Sequence, residues 1–156
     1  MEMLPYLGIA AGICGTDLLI KETINMQVEE NQKIYTCDGK VIVTKYYNPG
    51  AALGFLKDYP FALKGVTLFG IGSIVGALAA LSGRKGYTLP KLGLAMMLGG
   101  AGSNAYERFF NGKVTDYIRF NFGNKNFRSV VYNVGDFAIF AGGFLVCISE
   151  IANKEK

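Results

Sequence analysis

A chain of 156 residues is enough for one domain and little more. Apolar residues make up 51% of it and charged residues only 18%, a balance that favours lipid over water as surroundings. Histidine is absent, which removes Ser-His-Asp and Cys-His catalysis and leaves few good zinc ligands, and the net charge of +4 is scattered without any basic helix or RNA-binding aromatic motif.

In chain order, the first apolar run covers about residues 4–21. It lacks the basic start of a secretory signal peptide, and Asp17 interrupts its apolar end, so it reads as a retained helix. Asp17 and Lys21 are four apart and share a face. They read equally as an ion pair at the headgroups or as a buttress orienting neighbouring polar groups. The loop 22–60 holds QKIYTCDGKVIVTKYYN, from Gln32, with β-rich runs on either side of Asp38-Gly39. Asp-Gly between such runs predicts a hairpin, here part of a small sheet on the membrane surface. Tyr35, Tyr46, Tyr47 and Tyr59 suit that interface. Asn48-Pro49-Gly50 by itself reads as a turn.

Further apolar runs cover about 61–82, 89–108 and 131–151, each near the roughly 20 residues that cross a bilayer core as a helix. Four spans place both termini on one side, with loops 22–60 and 109–130 on the other. The second run contains Gly72 and Gly76, a GxxxG packing face. In the third, Gly100, Asn104 and Arg108 recur every four residues and form one stripe, with Glu107 beside it. In the fourth, Asn133 and Asp136 share a face, and Gly143, seven residues on, continues it. Cys14, Cys37 and Cys147 show no CxxC spacing, and Cys14 and Cys147 read as small apolar filler. Charge counting does not orient the chain. The turn at 82–88 carries Arg84 and Lys85 and the tail Lys154 and Lys156, yet Lys33, Lys40, Lys45, Lys57, Lys113, Arg119, Lys125 and Arg128 all lie on the opposite side.

Asp116 and Asp136 stand at the edges of apolar segments. An acid near hydrocarbon is expensive and is by default a functional-site hypothesis. Two carboxylates held close share a proton, so one acts as base and the other as acid, which is aspartic-protease logic. The amides of Asn104 and Asn133 would fix their rotamers, and Arg108 would offset negative charge or meet lipid phosphates. Buried charges lining the polar path of a small transporter subunit are another reading.

The order of these motifs resembles the lipoprotein signal peptidases (signal peptidase II). It runs from Asp17 and Lys21 through NPGAALG (from Asn48), GGAGSN (from Gly99) with Arg108 and Asp116, to YNVGD (from Tyr132). The resemblance spans nearly the whole chain. It implies a single integral-membrane peptidase domain over 1–156, α-helical, with four transmembrane helices and a small extracytoplasmic β-hairpin or sheet cradle. It implies an aspartic endopeptidase of the bacterial cytoplasmic (inner) membrane with its site towards the outer face and both termini in the cytoplasm. The expected substrate is a diacylglyceryl-prolipoprotein cut just before its lipidated cysteine. The expected catalytic pair is Asp116 and Asp136, with Asp17, Lys21, Asn48, Gly100, Asn104, Arg108 and Asn133 supporting it or binding substrate. No cofactor, metal or nucleic acid is expected; membrane lipids surround a monomer. The chain departs from the family's usual residues at Leu53, Glu107, Gly135 and Phe137 and in the run Gly102-Ser103. A catalytically altered relative that binds lipidated peptides is the alternative these departures raise.

Overall fold

The computed structural model describes residues 2–51 and 55–154, so Leu53, Gly54 and Lys156 lie outside the described residues. Four long helices form a bundle that carries a small sheet: α1 (Leu4–Gln27), α2 (Pro60–Leu81), α3 (Thr88–Phe110) and α5 (Val134–Lys154). The strands are β1 (Ile34–Thr36), β2 (Val41–Asn48), β3 (Val114–Phe120) and β4 (Val131–Tyr132), and a short helix α4 (Lys125–Ser129) lies between the last two.

Three of the long helices are apolar enough and long enough to cross a membrane: Leu4–Gln27, Pro60–Leu81 and Val134–Ala152. The third predicted span, α3, is as long as the others at 23 residues, about 34 Å of helix, but more polar. The reason is its place in the bundle. It packs against α1, α2 and α5 together, and buries Lys91, Ser103, Asn104 and Glu107 among its neighbours. A helix wrapped by other helices does not need an apolar surface on every side. By contrast α2 buries only Leu63 and Leu78.

Glycine sets the closest helix contacts. A methyl group on Gly100 would collide with the carbonyl of Gly135, and one on Gly93 or Gly142 with the carbonyl of the other. Gly99 faces the Ala10 carbonyl and the Ile13 side chain of α1 in the same way. The contact on α5 is therefore made by Gly135 and Gly142, seven residues apart, and not by Gly143, where an added methyl would meet nothing. Gly72 and Gly76 likewise face open space, so the GxxxG of α2 is not a packing face within this bundle. Gly100→Ala is expected to cost about 1–3 kcal/mol by overpacking, while Gly143→Ala stays within about 0.5 kcal/mol; thermal melting in detergent measures both.

The predicted hairpin is present, with a four-residue loop, 37–40, centred on Asp38-Gly39. Cys37 and Asp38 take the left-handed backbone, and Gly39 follows at φ 77°. The amide of Gly39 closes the turn on Thr36 O at 3.1 Å. The sheet is larger than a hairpin: all four strands pair antiparallel in chain order, β3 coming from the second loop and β4 from the first two residues of the fourth predicted span, whose helix starts only at Val134. Asp116 thus sits on a strand and not at the edge of a span. Between Val43 and Tyr46 the register with β3 slips by one residue, a bulge beside Asp116 of the kind that re-aims side chains next to sites.

Candidate functional site

Strand alternation divides β3 into two jobs. Thr115 and Tyr117 face α1 and α3, where Tyr117 packs with Ile24 and Val28. Asp116 faces the opposite way, into a cleft of about 290 Å³. The cleft also contains Asn48, Asn104, Arg108, Asn133 and Asp136, and its apolar wall is formed by Val66, Ile71, Ile74, Ile139 and Phe140.

Asp136 is placed by the start of α5. Asn133 precedes the helix, and its Oδ1 accepts from the Asp136 backbone N–H at 2.9 Å. The Asp136 carboxylate accepts in return from the Asn133 backbone N–H at 3.0 Å. This is a reciprocal capping box with Asp in the position usually held by Glu or Gln. The short side chain keeps the carboxylate at the helix mouth.

Asn133 also reaches the other acid. Its Nδ2 donates to Asp116 Oδ1 at 2.7 Å and to Asn104 Oδ1 at 3.0 Å. Asn104 Nδ2 donates to Asp136 Oδ1 at 3.0 Å. From the loop, Asn48 Nδ2 donates to Asp116 Oδ2 at 3.0 Å, while its Oδ1 takes the Gly50 amide. The expected turn at Asn48-Pro49-Gly50 is therefore an Asx turn whose free amide holds Asp116. Each carboxylate is gripped by two donors, and one residue, Asn133, touches both. Burial pushes the Asp116 carboxyl up to about 7, and the Asp136 charge adds to the effect, against the pull of the Asn48 and Asn133 amides.

Arg108 lines the cleft and donates to Gly50 O at 3.1 Å, so it clamps the loop. Gly100 acts through its contact with Gly135, one residue before Asp136. Asp17 and Lys21 are not at headgroups: both are fully buried behind Asn104. Lys21 Nζ donates to Asn104 Oδ1 at 2.8 Å and to Ser103 Oγ at 3.0 Å. It pairs with Asp17 at 2.9 Å and with Glu107 at 3.3 Å. With one oxygen lone pair taken by Lys21 and another by Asn133, the Asn104 amide can turn only its NH₂ towards Asp136. The buttress reading is the one observed.

Four further residues belong to this shell. Ser103 donates to Asp17 Oδ2. Glu107 accepts from the Thr115 amide at 2.8 Å and its hydroxyl at 2.7 Å, tying α3 to the strand beside Asp116. Tyr117 donates to Asp17 Oδ1 at 2.8 Å and accepts from the Val134 amide at 3.1 Å, tying the strand to the start of α5. Burial holds its phenol well above the ordinary value, so it stays an O–H donor. Phe137 turns away from the cleft onto Phe120 and Tyr132, with ring centroids at 6.1 and 5.7 Å. Among the described residues no group of three or more His, Cys, Asp or Glu side chains is placed to hold a metal.

The signal peptidase (SPase) II family model matches residues 9–152. The chain belongs to the signal peptidase II family. It is 32% identical over 158 residues to a lipoprotein signal peptidase of Janthinobacterium sp. (strain Marseille), covering 99% of this chain and 93% of that one. It is 29% identical over 151 residues to the lipoprotein signal peptidase of Listeria monocytogenes serotype 4a (strain HCC23), covering 97% and 96%. The fold is shared with a bacterial membrane enzyme solved by the in meso method, at a TM-score of 0.83 with 20% identity, covering 96% of this chain and 89% of that one. A second such structure gives 0.78 with 21% identity, covering 93% and 91%. Membership of the signal peptidase II family makes this chain a peptidase of a bacterial membrane.

Proposed function

We propose that the chain is an aspartic endopeptidase that removes signal peptides from diacylglyceryl-modified prolipoproteins, cutting before the lipidated cysteine. One observation carries the reading: Asp116 and Asp136, from a strand and a helix far apart in sequence, open onto one cleft and are tied to the same Asn133. Peptide hydrolysis needs a base to activate water and an acid for the leaving amine. A water between the two carboxylates would lose its proton to the ionised one as it attacks the scissile carbonyl. The protonated carboxyl would then pass its proton to the departing nitrogen. Asn48, Asn104 and Asn133 hold the carboxylates during this exchange, and Arg108 fixes the loop that bounds the cleft. The apolar wall on α2 and α5 would receive the signal peptide and acyl chains. In this reading the chain is a single integral-membrane domain of four spans, α3 being the central one. It acts as a monomer in the bacterial cytoplasmic membrane, with the sheet and the cleft at the outer face.

Glu107 supports activity in place of the family's usual acid, because its carboxylate is fully used by Lys21 and the Thr115 amide and hydroxyl. The direct test is incubation of the purified protein with a diacylglyceryl-modified precursor, with and without the cyclic peptide inhibitors of this family. Inhibitor-sensitive release of the signal peptide is expected; a precursor that binds and is never cut would leave only a binding role.

The pH profile follows from Asp116. Its carboxyl is neutral below about pH 7 and ionised above it. As pH rises through that value the pair loses its shared proton, and with it the acid for the leaving amine. The rate kcat/KM on the precursor is expected to fall tenfold per pH unit on the alkaline side of about 7. A rate still climbing well into the alkaline range would show that the pair works with both carboxylates ionised.

A further inference from the structure

The second loop carries a charge imbalance that peptide cleavage does not use. Lys113, Arg119, Lys125 and Arg128 stand there against one acid, Asp116, which is buried in the cleft. Among the described residues, the ion pairs of the protein are made by Lys21, and none of these four cations has a carboxylate partner. The same loop holds phenylalanine rings in the open, Phe122 at 50% and Phe127 at 37% exposure.

This is a built surface. Asn124 Oδ1 caps α4 by accepting from the Phe127 amide at 2.9 Å. Arg119 Nε donates to Arg128 O at 2.6 Å, and Arg128 donates to Asn121 Oδ1 at 2.9 Å. Phe127 stacks on Phe120 at 5.5 Å and meets Phe122 at 5.8 Å. A scaffold held by this many bonds that still keeps two large rings outside is presenting them.

What covers them is shown by where the rings lead. Phe127 contacts Tyr132 at 6.3 Å, and Tyr132 contacts Phe140 at 6.5 Å. Phe140 is 60% exposed and lies within the apolar stretch Val134–Ala152, which is long enough to cross a membrane. The aromatic strip therefore runs from α4 along Tyr132 at the cleft rim onto Phe140 of the apolar stretch of α5. With α5 crossing the membrane, the α4 end of the strip falls beyond the apolar span, where aromatic rings are favoured. Lys125 and Arg128 are three apart on α4 and share a face.

We propose that the β3–α4–β4 excursion is an interfacial anchor. It seats Phe122 and Phe127 at the boundary of headgroups and acyl chains and selects anionic phospholipid through Arg119, Lys125 and Arg128. This gives Arg119, Lys125 and Arg128, three of the basic residues on the sheet side of the molecule, a role that chain orientation does not supply. It depends on α5 crossing the membrane and not on the chemistry at Asp116 and Asp136.

The chain contains no tryptophan, so Phe127→Trp supplies a single reporter. The variant, in nanodiscs, is compared with brominated phosphatidylglycerol and brominated phosphatidylcholine at equal mole fraction. Blue-shifted emission, quenched more by the anionic lipid, is expected. Each nearby cation enriches an anionic headgroup about fivefold at low salt, and about 1 M salt should erase the difference. Lys125→Glu with Arg128→Gln in the Phe127→Trp background should bring the two lipids to parity. Because Arg128 also holds Asn121, Lys125→Glu alone is included and should lower the preference without changing the blue shift. Emission of a water-exposed indole, equal quenching by both lipids, or a preference indifferent to Lys125→Glu would each overturn the proposal.

Discussion

Asp116→Asn and Asp136→Asn are each expected to lower precursor cleavage by at least about a thousandfold while leaving the protein inserted and folded. The reasoning is one of division of labour. With histidine absent, Asp116 and Asp136 are the ionisable pair at the cleft that can exchange a proton with water and then with a leaving amine. An amide does neither. It does keep much of the local geometry. At position 136 an Asn side-chain oxygen still accepts from the Asn133 backbone amide, so the capping box at the head of α5 survives in part. At position 116 one oxygen remains for Asn133 or Asn48, and one new NH₂ faces a donor. At position 136 the new NH₂ likewise faces the NH₂ of Asn104, so both variants should lose some thermal stability as well as activity. Turnover of a diacylglyceryl precursor, read beside the far-ultraviolet circular dichroism of each variant, separates the two effects. A variant at either position that cuts at the normal rate would show that its carboxyl is not part of the reaction.

Much of this site was readable because its residues sit on regular helical spacings. Asp17 and Lys21, Gly100 with Asn104 and Arg108, and Asn133 with Asp136 all fall at intervals of three or four. The first two sets share a helix face, while Asn133 stands just before α5 and meets Asp136 through the cap at its start and not as a neighbour on a helix face. What spacing does not carry is which way a face points. One residue of helix is about 100° of rotation, and that is the distance between the expected Gly143 and the observed Gly142. Strand β3 was hidden for a different reason. VTDY, from Val114, is buried on both faces, so it lacks the alternation that marks a half-exposed strand. Its main partner, β2, is about seventy residues earlier in the chain, as in the pairing of Asn48 with Val114. The one local signal was the end of α3, where Gly112 takes φ 72° directly after Asn111 and stops the helix. Ser103, Thr115 and Tyr117 were missed because their roles exist only once that strand lies across α1 and α3. The polar character of α3 follows from the same packing.

The second large effect concerns Lys21, and it tests whether the buried network is a support or only a remnant. Lys21→Met is expected to destabilise the protein by about 3–5 kcal/mol, the usual cost of removing one partner from a buried ion pair. Lys21 has three N–H donors and four acceptors around it: Asp17, Ser103, Asn104 and Glu107. Without it, the carboxylates of Asp17 and Glu107 face each other's field in a dry interior. Asp17 keeps the hydroxyls of Ser103 and Tyr117, and Glu107 keeps Thr115, so the network loosens but does not vanish. The charge is the larger part of the loss. Lys21→Met combined with Asp17→Asn and Glu107→Gln should therefore recover a good share of the thermal stability, since replacing a buried ionic group as a whole costs far less than breaking it. Activity should not recover with it. Asn104 Oδ1 would keep Asn133 as a donor but lack Lys21, so its amide is held by one bond fewer and its NH₂ is less firmly set towards Asp136. A triple variant that regains stability yet cleaves slowly would assign Lys21 to positioning Asn104. One that regains both would reduce Lys21 to a partner for Asp17 and Glu107 and remove it from the machinery around Asp136.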